Sequence, residues 1–256
     1  MKRQEPGESS LQRVIRILEV FAEGDSSMTP AEISRRTGLP PASTYRLVGE
    51  MLEHGFLDRS ENGVKTGVKL WELATRESWT TKLRATSLPY LSQLRAALGH
   101  HTHLSILEGT DVLYVERLSA KEDVVNITDV ATRLPAALAS PGLLFAAYSN
   151  KRDQDRIFSV RLKKFSPLTP ATLQEIVDTL PTVRSQGFAI VEGWIDETVA
   201  GVAAPIRSPQ GDVLAAVSVL VANDGKAAMA SLASVKATAN RISTALKRQA
   251  SMLPIH

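Results

Sequence analysis

The sequence predicts an α+β protein in two parts: an N-terminal winged helix-turn-helix and a C-terminal domain in which helices pack against an antiparallel sheet. Three observations lead to this fold class. Capped and amphipathic helical patterns fill the chain up to Gly55. An Asn62-Gly63 pair then separates two short segments of strand character. From His101 onward, strand-like stretches are interspersed with helical ones.

Composition narrows the class of protein. The chain has 256 residues, of which 43% are hydrophobic and 22% charged, as in a globular protein of one large or two ordinary domains. The absence of cysteine excludes disulfides and thiolate chemistry. Neither a membrane span nor a secretion signal is evident, so we expect a cytoplasmic protein with no membrane partner. The net charge of +3 permits nucleic-acid binding without indicating it.

The first helix is predicted to begin at Ser10 and to end near Gly24, after a disordered tail over residues 1–9. Apolar residues recur at i, i+3, i+4 and i+7, which gives the helix one face for a core. These positions are Leu11, Val14, Ile15, Leu18, Phe21 and Ala22.

The next stretch carries the signals of two helices joined by a tight turn. Thr29 and Glu32 form a capping box at the start of the first. Gly38 supplies a left-handed residue beyond its end, and Pro40 and Pro41 separate it from the second. We expect Leu47, Val48, Met51 and Leu52 of the second helix to face inward and Ala42, Ser43, Thr44 and Arg46 to face outward.

A hairpin over residues 56–59 and 64–66 completes a winged helix-turn-helix domain at residues 10–67. Small and hydroxyl side chains with an arginine at the start of the second helix suit insertion into a major groove. Basic side chains of the first helix of the helix-turn-helix, and of the hairpin, are suited to contacts with DNA phosphates. The predicted DNA-binding residues are Arg35, Arg36, Ser43, Thr44, Tyr45, Arg46, Arg59 and Lys65.

A linker helix is expected over residues 68–84 and a second domain over residues 85–250. In that domain Thr169 is predicted to cap a helix over 170–186 that bends at Pro181. The other expected elements are a helix over 85–98, a hairpin over 101–116, a strand over 124–128, a small-residue loop over 133–142, helices from 143 and over 151–160, buried strands over 199–206 and 213–221, and a final helix over 225–249.

Candidate catalytic and metal-binding residues are few. His101 and His103 would share one face of a strand, as metal ligands can, but no cysteine or suitably spaced acid accompanies them. No nucleophile elbow, phosphate loop or dinucleotide fingerprint occurs. Asp196-Glu197 is more typical of solvated loop acids than of acid–base catalysis. We therefore expect no catalytic residue, no metal and no cofactor.

Six short segments carry recognisable motifs, at residues 10–18, 38–47, 54–57, 109–117, 202–206 and 214–218. In this order they resemble the IclR family of bacterial transcriptional regulators. The resemblance implies a winged helix, a linker helix and a GAF-like effector-binding domain. It implies three partners: double-stranded operator DNA, a small-molecule effector, and further copies of the chain in a homodimer or a dimer of dimers. The 133–142 segment is similar to the branch that controls aromatic-acid catabolism.

The resemblance also implies an effector pocket formed by the small-residue loop, residues 189–192 and the last two strands. Members that sense short oxo-acids have an acidic residue at Val191, a cysteine at Gly201 and a serine at Leu220. Without those polar groups the pocket should be roomier and more apolar, and should suit an aromatic or longer carboxylic acid. The residues implied for effector binding are Leu138, Ala139, Ser140, Gly142, Val191, Gly201, Ser218 and Leu220.

Two other classes of function stay open at the level of sequence. The chain could be a small-molecule enzyme with an appended helical domain, which turnover without DNA would reveal. It could also be an interaction module whose winged helix binds protein, and such binding would lack the salt dependence of phosphate contacts. Repression and activation of transcription are equally compatible with the sequence.

Overall fold

The computed structural model describes residues 8–23, 27–76, 78–120 and 130–251. The chain divides into two compact units, Met1–Ser78 and Trp79–His256. Among the described residues, no helix combines the length and the apolar character needed to cross a bilayer.

Three helices form the body of the N-terminal unit: α1 (Ser10–Glu19), which continues as a 3-10 turn, α2 (Pro30–Thr37) and α3 (Pro41–Glu53). The predicted capping box at the start of α2 is confirmed, since the Glu32 amide donates to Thr29 Oγ1 over 3.2 Å. Gly38 has a φ of 69°, as expected for a left-handed residue after a helix. The three helices enclose a core around Ile17, Ile33 and Leu47.

The predicted wing is an antiparallel hairpin of β1 (Leu57–Ser60) and β2 (Gly63–Thr66). Its two-residue turn is Glu61-Asn62, one residue earlier than predicted. The shift arises because the backbone of Met28 pairs with that of Val64, which adds a bridge from a distant part of the chain. A Cβ on Gly63 would lie 2.3 Å from the Met28 carbonyl oxygen, so this glycine serves the close approach of two backbones.

The linker helix predicted over residues 68–84 is two helices in the structure. One is α4 (Val68–Thr75), in the N-terminal unit, and the other is α5 (Trp79–Leu98), which begins the C-terminal unit. Arg76 ends α4 in an extended conformation with a ψ of 111°, which the helical periodicity of the sequence does not reveal. No residue of α4 is buried, so packing does not extend this helix.

The C-terminal unit is built on a six-stranded antiparallel sheet with the order β5-β4-β3-β8-β7-β6. Its hairpin and its two long buried strands agree with the prediction. The strand predicted at 124–128 lies outside the described residues. The strands are β3 (His101–Glu108), β4 (Asp111–Leu118), β5 (Arg133–Pro135), β6 (Ala189–Glu192), β7 (Val199–Arg207) and β8 (Val213–Ala222).

The prediction of a small-residue loop over residues 133–142 is wrong. Its first residues form β5, which pairs with β4, and a 3-10 turn over Ala136–Leu138 then leads directly into α6 (Ser140–Tyr148). Alanines in the turn are fully buried, so their small size serves close packing and not conformational freedom.

The single helix predicted over 170–186 is also two helices, α8 (Leu173–Val177) and α9 (Leu180–Gln186). Pro181 lies in the first turn of α9, where its missing N–H costs nothing. Thr172, and not Thr169, caps α8. The Thr169 hydroxyl instead donates to the carbonyl of Trp194 over 2.6 Å.

Helices cover both faces of the sheet and create two apolar cores. The helices α5 and α10 (Ala227–Ser251) cover one face, and α6, α7 (Lys151–Ile157), α8 and α9 cover the other. Because both faces are covered, the central strand β8 is apolar and buried along most of its length.

Candidate DNA-binding surface and effector cavity

The exposed face of α3 is the candidate recognition surface. Tyr45 is 55% exposed, Arg46 is also exposed, and Ser43 is half-buried. Arg46 pairs with the Glu50 carboxylate over 2.6 Å along the same face. An exposed pair one helical turn apart contributes only about 0.3–0.5 kcal/mol, so the arginine is free to exchange this partner for DNA.

The outward orientation predicted for Thr44 is wrong. Its side chain is fully buried, and its hydroxyl donates to the carbonyl of Pro40 over 3.2 Å. Thr44 precedes Leu47 and Val48 by three and four residues, so it lies on the core face of α3. Thr44 therefore supports the start of the helix from inside and offers no side-chain group to DNA.

The remaining predicted DNA-binding residues are exposed cations on neighbouring elements of the same unit. Arg35 and Arg36 lie near the end of α2, and Arg35 is 3.5 Å from the Glu32 carboxylate. Arg59 and Lys65 lie on the two strands of the wing. Exposed cations of this kind can contact backbone phosphates without reading sequence.

The C-terminal unit contains a cavity with about 550 Å³ of unfilled space, part of it open to solvent, at the start of α6. Its walls come from β4, β5, the 3-10 turn, β6, β7, β8 and the loop between β6 and β7. The cavity brings together six of the eight residues predicted for effector binding. These are Leu138, Ala139, Ser140, Val191, Gly201 and Leu220.

The other two predicted residues do not line the cavity. Gly142 packs against the preceding turn, where a Cβ would lie 1.9 Å from the Ala136 carbonyl oxygen. Ser218 lies two residues before Leu220 on β8, buried between its register partners His103 and Ala203. Ser218 shares one face of β8 with Leu220, but only Leu220 reaches the lining.

Gly201 and Ser140 form the polar corner of the cavity. A Cβ on Gly201 would lie 2.8 Å from Ser140 Oγ, so the glycine is what leaves room for this hydroxyl. Ser140 is the first residue of α6, and Ala139 before it provides no side-chain cap. The start of a helix favours an anion through its dipole and its free N–H groups, and in α6 the free N–H in the cavity lining is that of Ser140, since Pro141 has none.

Two further polar groups line the cavity. Burial raises the pKa of the Tyr114 phenol, which keeps it neutral and able to donate a hydrogen bond. Hydrogen bonds from the Thr198 hydroxyl, at 2.6 Å, and from its amide, at 2.9 Å, lower the pKa of Asp196. Asp196 is therefore an ionised carboxylate at neutral pH.

Sequence reasoning missed half of the cavity lining: Tyr114, Leu134, Trp194, Ile195, Asp196 and Val199. Several of them belong to the loop after β6, which is held in place by distant hydroxyl groups. Ser166 Oγ donates to the Gly193 carbonyl, and Thr169 donates to that of Trp194. Two local signals were present: Trp194, a large apolar residue in a polar loop, and the Asp196-Glu197 pair, which was interpreted as a pair of solvated loop acids.

The clustered histidines are structural parts of the sheet. His101 Nδ1 accepts a hydrogen bond from the Ala120 amide over 3.2 Å, and the ring of His103 contacts that of Tyr114 edge-on at 5.2 Å. Burial, followed by the nearby charges of His101 and Arg117, lowers the pKa of His103 to about 3. No group of three possible metal ligands occurs among the described residues.

Comparison with known families decides the identity of this arrangement. The model of the IclR helix-turn-helix domain matches residues 10–61, and that of the bacterial transcriptional regulator IclR C-terminal region matches residues 79–244. The chain belongs to the IclR family. It is a DNA-binding transcriptional regulator with a C-terminal effector-binding domain, and the enzyme and protein-interaction alternatives are set aside.

Individual relatives agree with this assignment. The chain is 26% identical to the HTH-type transcriptional regulator XynR of Escherichia coli, over 82% of this chain and 84% of the relative. It is 27% identical to the Pca regulon regulatory protein of Pseudomonas putida, over 82% of this chain and 73% of the relative. A crystal structure of an IclR homologue from Microbacterium hydrocarbonoxydans, complexed with 4-hydroxybenzoate, is 34% identical with a TM-score of 0.88, over 94% of this chain and 100% of that one.

Proposed function

We propose that an aromatic carboxylic acid, bound in the cavity at the start of α6, controls operator binding by this regulator. The observation that carries the proposal is the combination of an open Ser140 hydroxyl beside an uncapped helix start with walls that are otherwise mostly apolar. The 34% identical homologue is complexed with 4-hydroxybenzoate, which supports the same ligand class here. The likeness to a Pca regulon regulatory protein supports it further.

The chemistry of the cavity suggests how such an acid is oriented. The carboxylate would accept hydrogen bonds from Ser140 Oγ and from the backbone amide of Ser140, because Pro141, the next residue of α6, has no N–H. The ring would pack against Trp194 and Leu138, which bury apolar area. Asp196 would accept a hydrogen bond from a ring hydroxyl and would repel a second carboxylate. An aromatic acid with one carboxylate and a ring hydroxyl would match the Ser140 corner, the apolar wall and Asp196.

In the N-terminal unit, we propose that α3 enters the major groove with Ser43, Tyr45 and Arg46 towards the bases. Arg35 and Arg36 on α2, with Arg59 and Lys65 on the wing, would contact phosphates. Thr44 contributes only by holding the start of α3, as its burial requires.

We also propose that the regulator is a homodimer or a dimer of dimers. Helix α4 exposes three large apolar side chains, Val68, Trp71 and Leu73, which are 62%, 67% and 55% accessible. A second copy that covers them would remove this surface from water. Sedimentation equilibrium tests this directly: Trp71→Ser should shift the protein towards monomer, whereas the exposed Met229→Ser on α10 should not.

The effector proposal is tested by fluorescence anisotropy on promoter DNA from the regulator's own locus, with benzoate, 4-hydroxybenzoate and glyoxylate as probes. The aromatic acids should change the operator affinity at least tenfold, and glyoxylate should not. Ser140→Ala should retain operator binding but lose most of the response. A response to glyoxylate alone would contradict the proposed effector class. An undiminished response in Ser140→Ala would contradict the proposed role of the Ser140 hydroxyl in binding the effector.

A further inference from the structure

A second cleft lies in the C-terminal unit, at the opposite end of α6 from the effector cavity. It has about 1180 Å³ of unfilled space, is open to solvent, and is formed by the end of α6, the ends of β3 and β7, the start of β8, α9 and the first residue of α5. Tyr148, the last residue of α6, lies in its wall. None of the residues of the DNA-binding surface or of the effector cavity lines this cleft.

Two arginines converge on Tyr148. The guanidinium carbon of Arg207 lies 4.3 Å from the centre of the ring, and that of Arg184 lies 5.9 Å from it. The Tyr148 hydroxyl donates to the Arg184 carbonyl over 3.0 Å, and Arg207 Nη1 donates to the Gly211 carbonyl over 2.9 Å. These contacts place two cations next to one aromatic ring in the cleft wall.

Within the described part of the chain, no carboxylate forms an ion pair with Arg184 or with Arg207. Asp212 is the one acidic residue in the cleft lining, so cations outnumber carboxylates there by two to one. Guanidinium groups present several donors in a plane, which suits a carboxylate.

Beside the arginines, the cleft exposes apolar surface. Trp79 is 51% and Leu214 is 38% accessible, and both line the cleft above the buried Phe145. Cations next to exposed aromatic and aliphatic groups match a ligand that has an anionic end and an apolar body.

We propose that this cleft is a second small-molecule site, which binds an organic carboxylate with an aromatic or other apolar body between Arg184, Arg207 and Trp79. The carboxylate would pair with the guanidinium groups, and its body would lie against Trp79 and Leu214. The proposal does not depend on which ligand fills the cavity at Ser140.

The three tryptophans of the chain make a selective test possible. Trp79 lines the second cleft, Trp194 lines the effector cavity, and Trp71 lies on α4. The full chain with Trp71→Phe and Trp194→Phe keeps Trp79 as its sole tryptophan. Titration of this reporter with benzoate should give a saturable change in fluorescence, and the uncharged isostere benzamide should give at least a tenfold weaker one.

Variants of the reporter protein assign the signal. Arg184→Gln with Arg207→Gln should weaken benzoate binding at least tenfold, Arg207→Lys should weaken it less, and the exposed Arg152→Gln on α7 should leave it unchanged. Gly201→Leu, which fills the effector cavity, should leave the Trp79 response in place. Survival of that response in Gly201→Leu separates this site from the proposed effector site.

Four outcomes would overturn the proposal. The first is no saturable response of Trp79 to benzoate, and the second is a response that Gly201→Leu abolishes. The third is a lower melting temperature in the double arginine variant with unchanged benzoate affinity, since the arginines would then serve only the carboxyl end of α6. The fourth is a change of oligomeric state in that variant, measured by light scattering, with unchanged benzoate affinity, which would make the cleft an interface between copies.

Discussion

The corner formed by Gly201 and Ser140 allows a sharp test of how the effector cavity works. In Gly201→Ala the new methyl group would lie 2.8 Å from Ser140 Oγ, closer than such atoms approach in proteins. Its next neighbours, Ser140 Cβ at 3.6 Å and Leu220 Cδ2 at 3.7 Å, are at ordinary contact distances. The substitution should therefore act by turning the Ser140 hydroxyl away, with little effect on the rest of the wall.

The expected loss follows from the hydrogen bond that this hydroxyl would make. A hydrogen bond to a charged group contributes about 1.5–3 kcal/mol, so Gly201→Ala should weaken the binding of 4-hydroxybenzoate by roughly tenfold to a hundredfold. Because a serine side chain can rotate, the melting temperature should change little. Isothermal titration calorimetry measures the affinity, and differential scanning calorimetry measures the stability.

A double-mutant cycle decides whether the reasoning is right. Ser140→Ala removes the hydroxyl and with it the close contact, so adding Gly201→Ala in that background should cost little further affinity. The two single losses should thus be far from additive. Equal effects of Gly201→Ala with and without the Ser140 hydroxyl would refute the argument.

Three other predictions concern different parts of the molecule. Gly63→Ala should destabilise the N-terminal unit by about 2–3 kcal/mol. The new Cβ would lie 2.3 Å from the Met28 carbonyl oxygen, and the φ of residue 63 is 132°. Hydrogen exchange should show weaker protection in the wing and unchanged protection in the C-terminal sheet. Arg46→Ala should weaken specific operator binding by about 1–3 kcal/mol, while Glu50→Ala, which removes only its ion-pair partner, should not; an equal loss on unrelated DNA would identify a phosphate contact. His103 is neutral in the folded protein because its pKa is lowered from 6.5 to about 3, whereas the same histidine in the unfolded chain takes up a proton below pH 6.5. The contribution of neutral His103 to the free energy of unfolding is therefore complete above pH 6.5 and is lost as the pH falls towards 3. The loss should be about 2 kcal/mol near pH 5. Urea unfolding across this range should show the decline, and His103→Gln should flatten it.

Local sequence signals gave accurate predictions of local structure. The capping box of Thr29 and Glu32 and the glycine after α2 involve residues within ten positions of one another, so the sequence predicted them correctly. The wing turn was misplaced by one residue, because Met28, distant in sequence, pairs with Val64 and sets the position of Gly63. Periodicity alone could not detect that contact.

The contrast between local signals and contacts of distant residues also explains which lining residues of the effector cavity were predicted. Six lining residues followed from the family resemblance, which implied a pocket formed by the small-residue loop, residues 189–192 and the last two strands. The loop that carries Trp194 and Asp196 did not follow, since hydroxyl groups of Ser166 and Thr169, far away in sequence, fix its position. Ser218 was expected in the lining, yet it is buried in the sheet, and Leu220, two residues further along β8, reaches the cavity instead.

By itself, the sequence of this protein determined most of its helices and strands, its winged helix-turn-helix and its place in the IclR family, because capping, periodicity and motif spacing are properties of short segments. Tertiary structure decided which side chains meet. It turned Thr44 into the core and brought Gly201 to Ser140 and two arginines to Tyr148. These contacts join residues that are remote along the chain or depend on how a whole helix is oriented, and only the packing of complete elements brings such groups together.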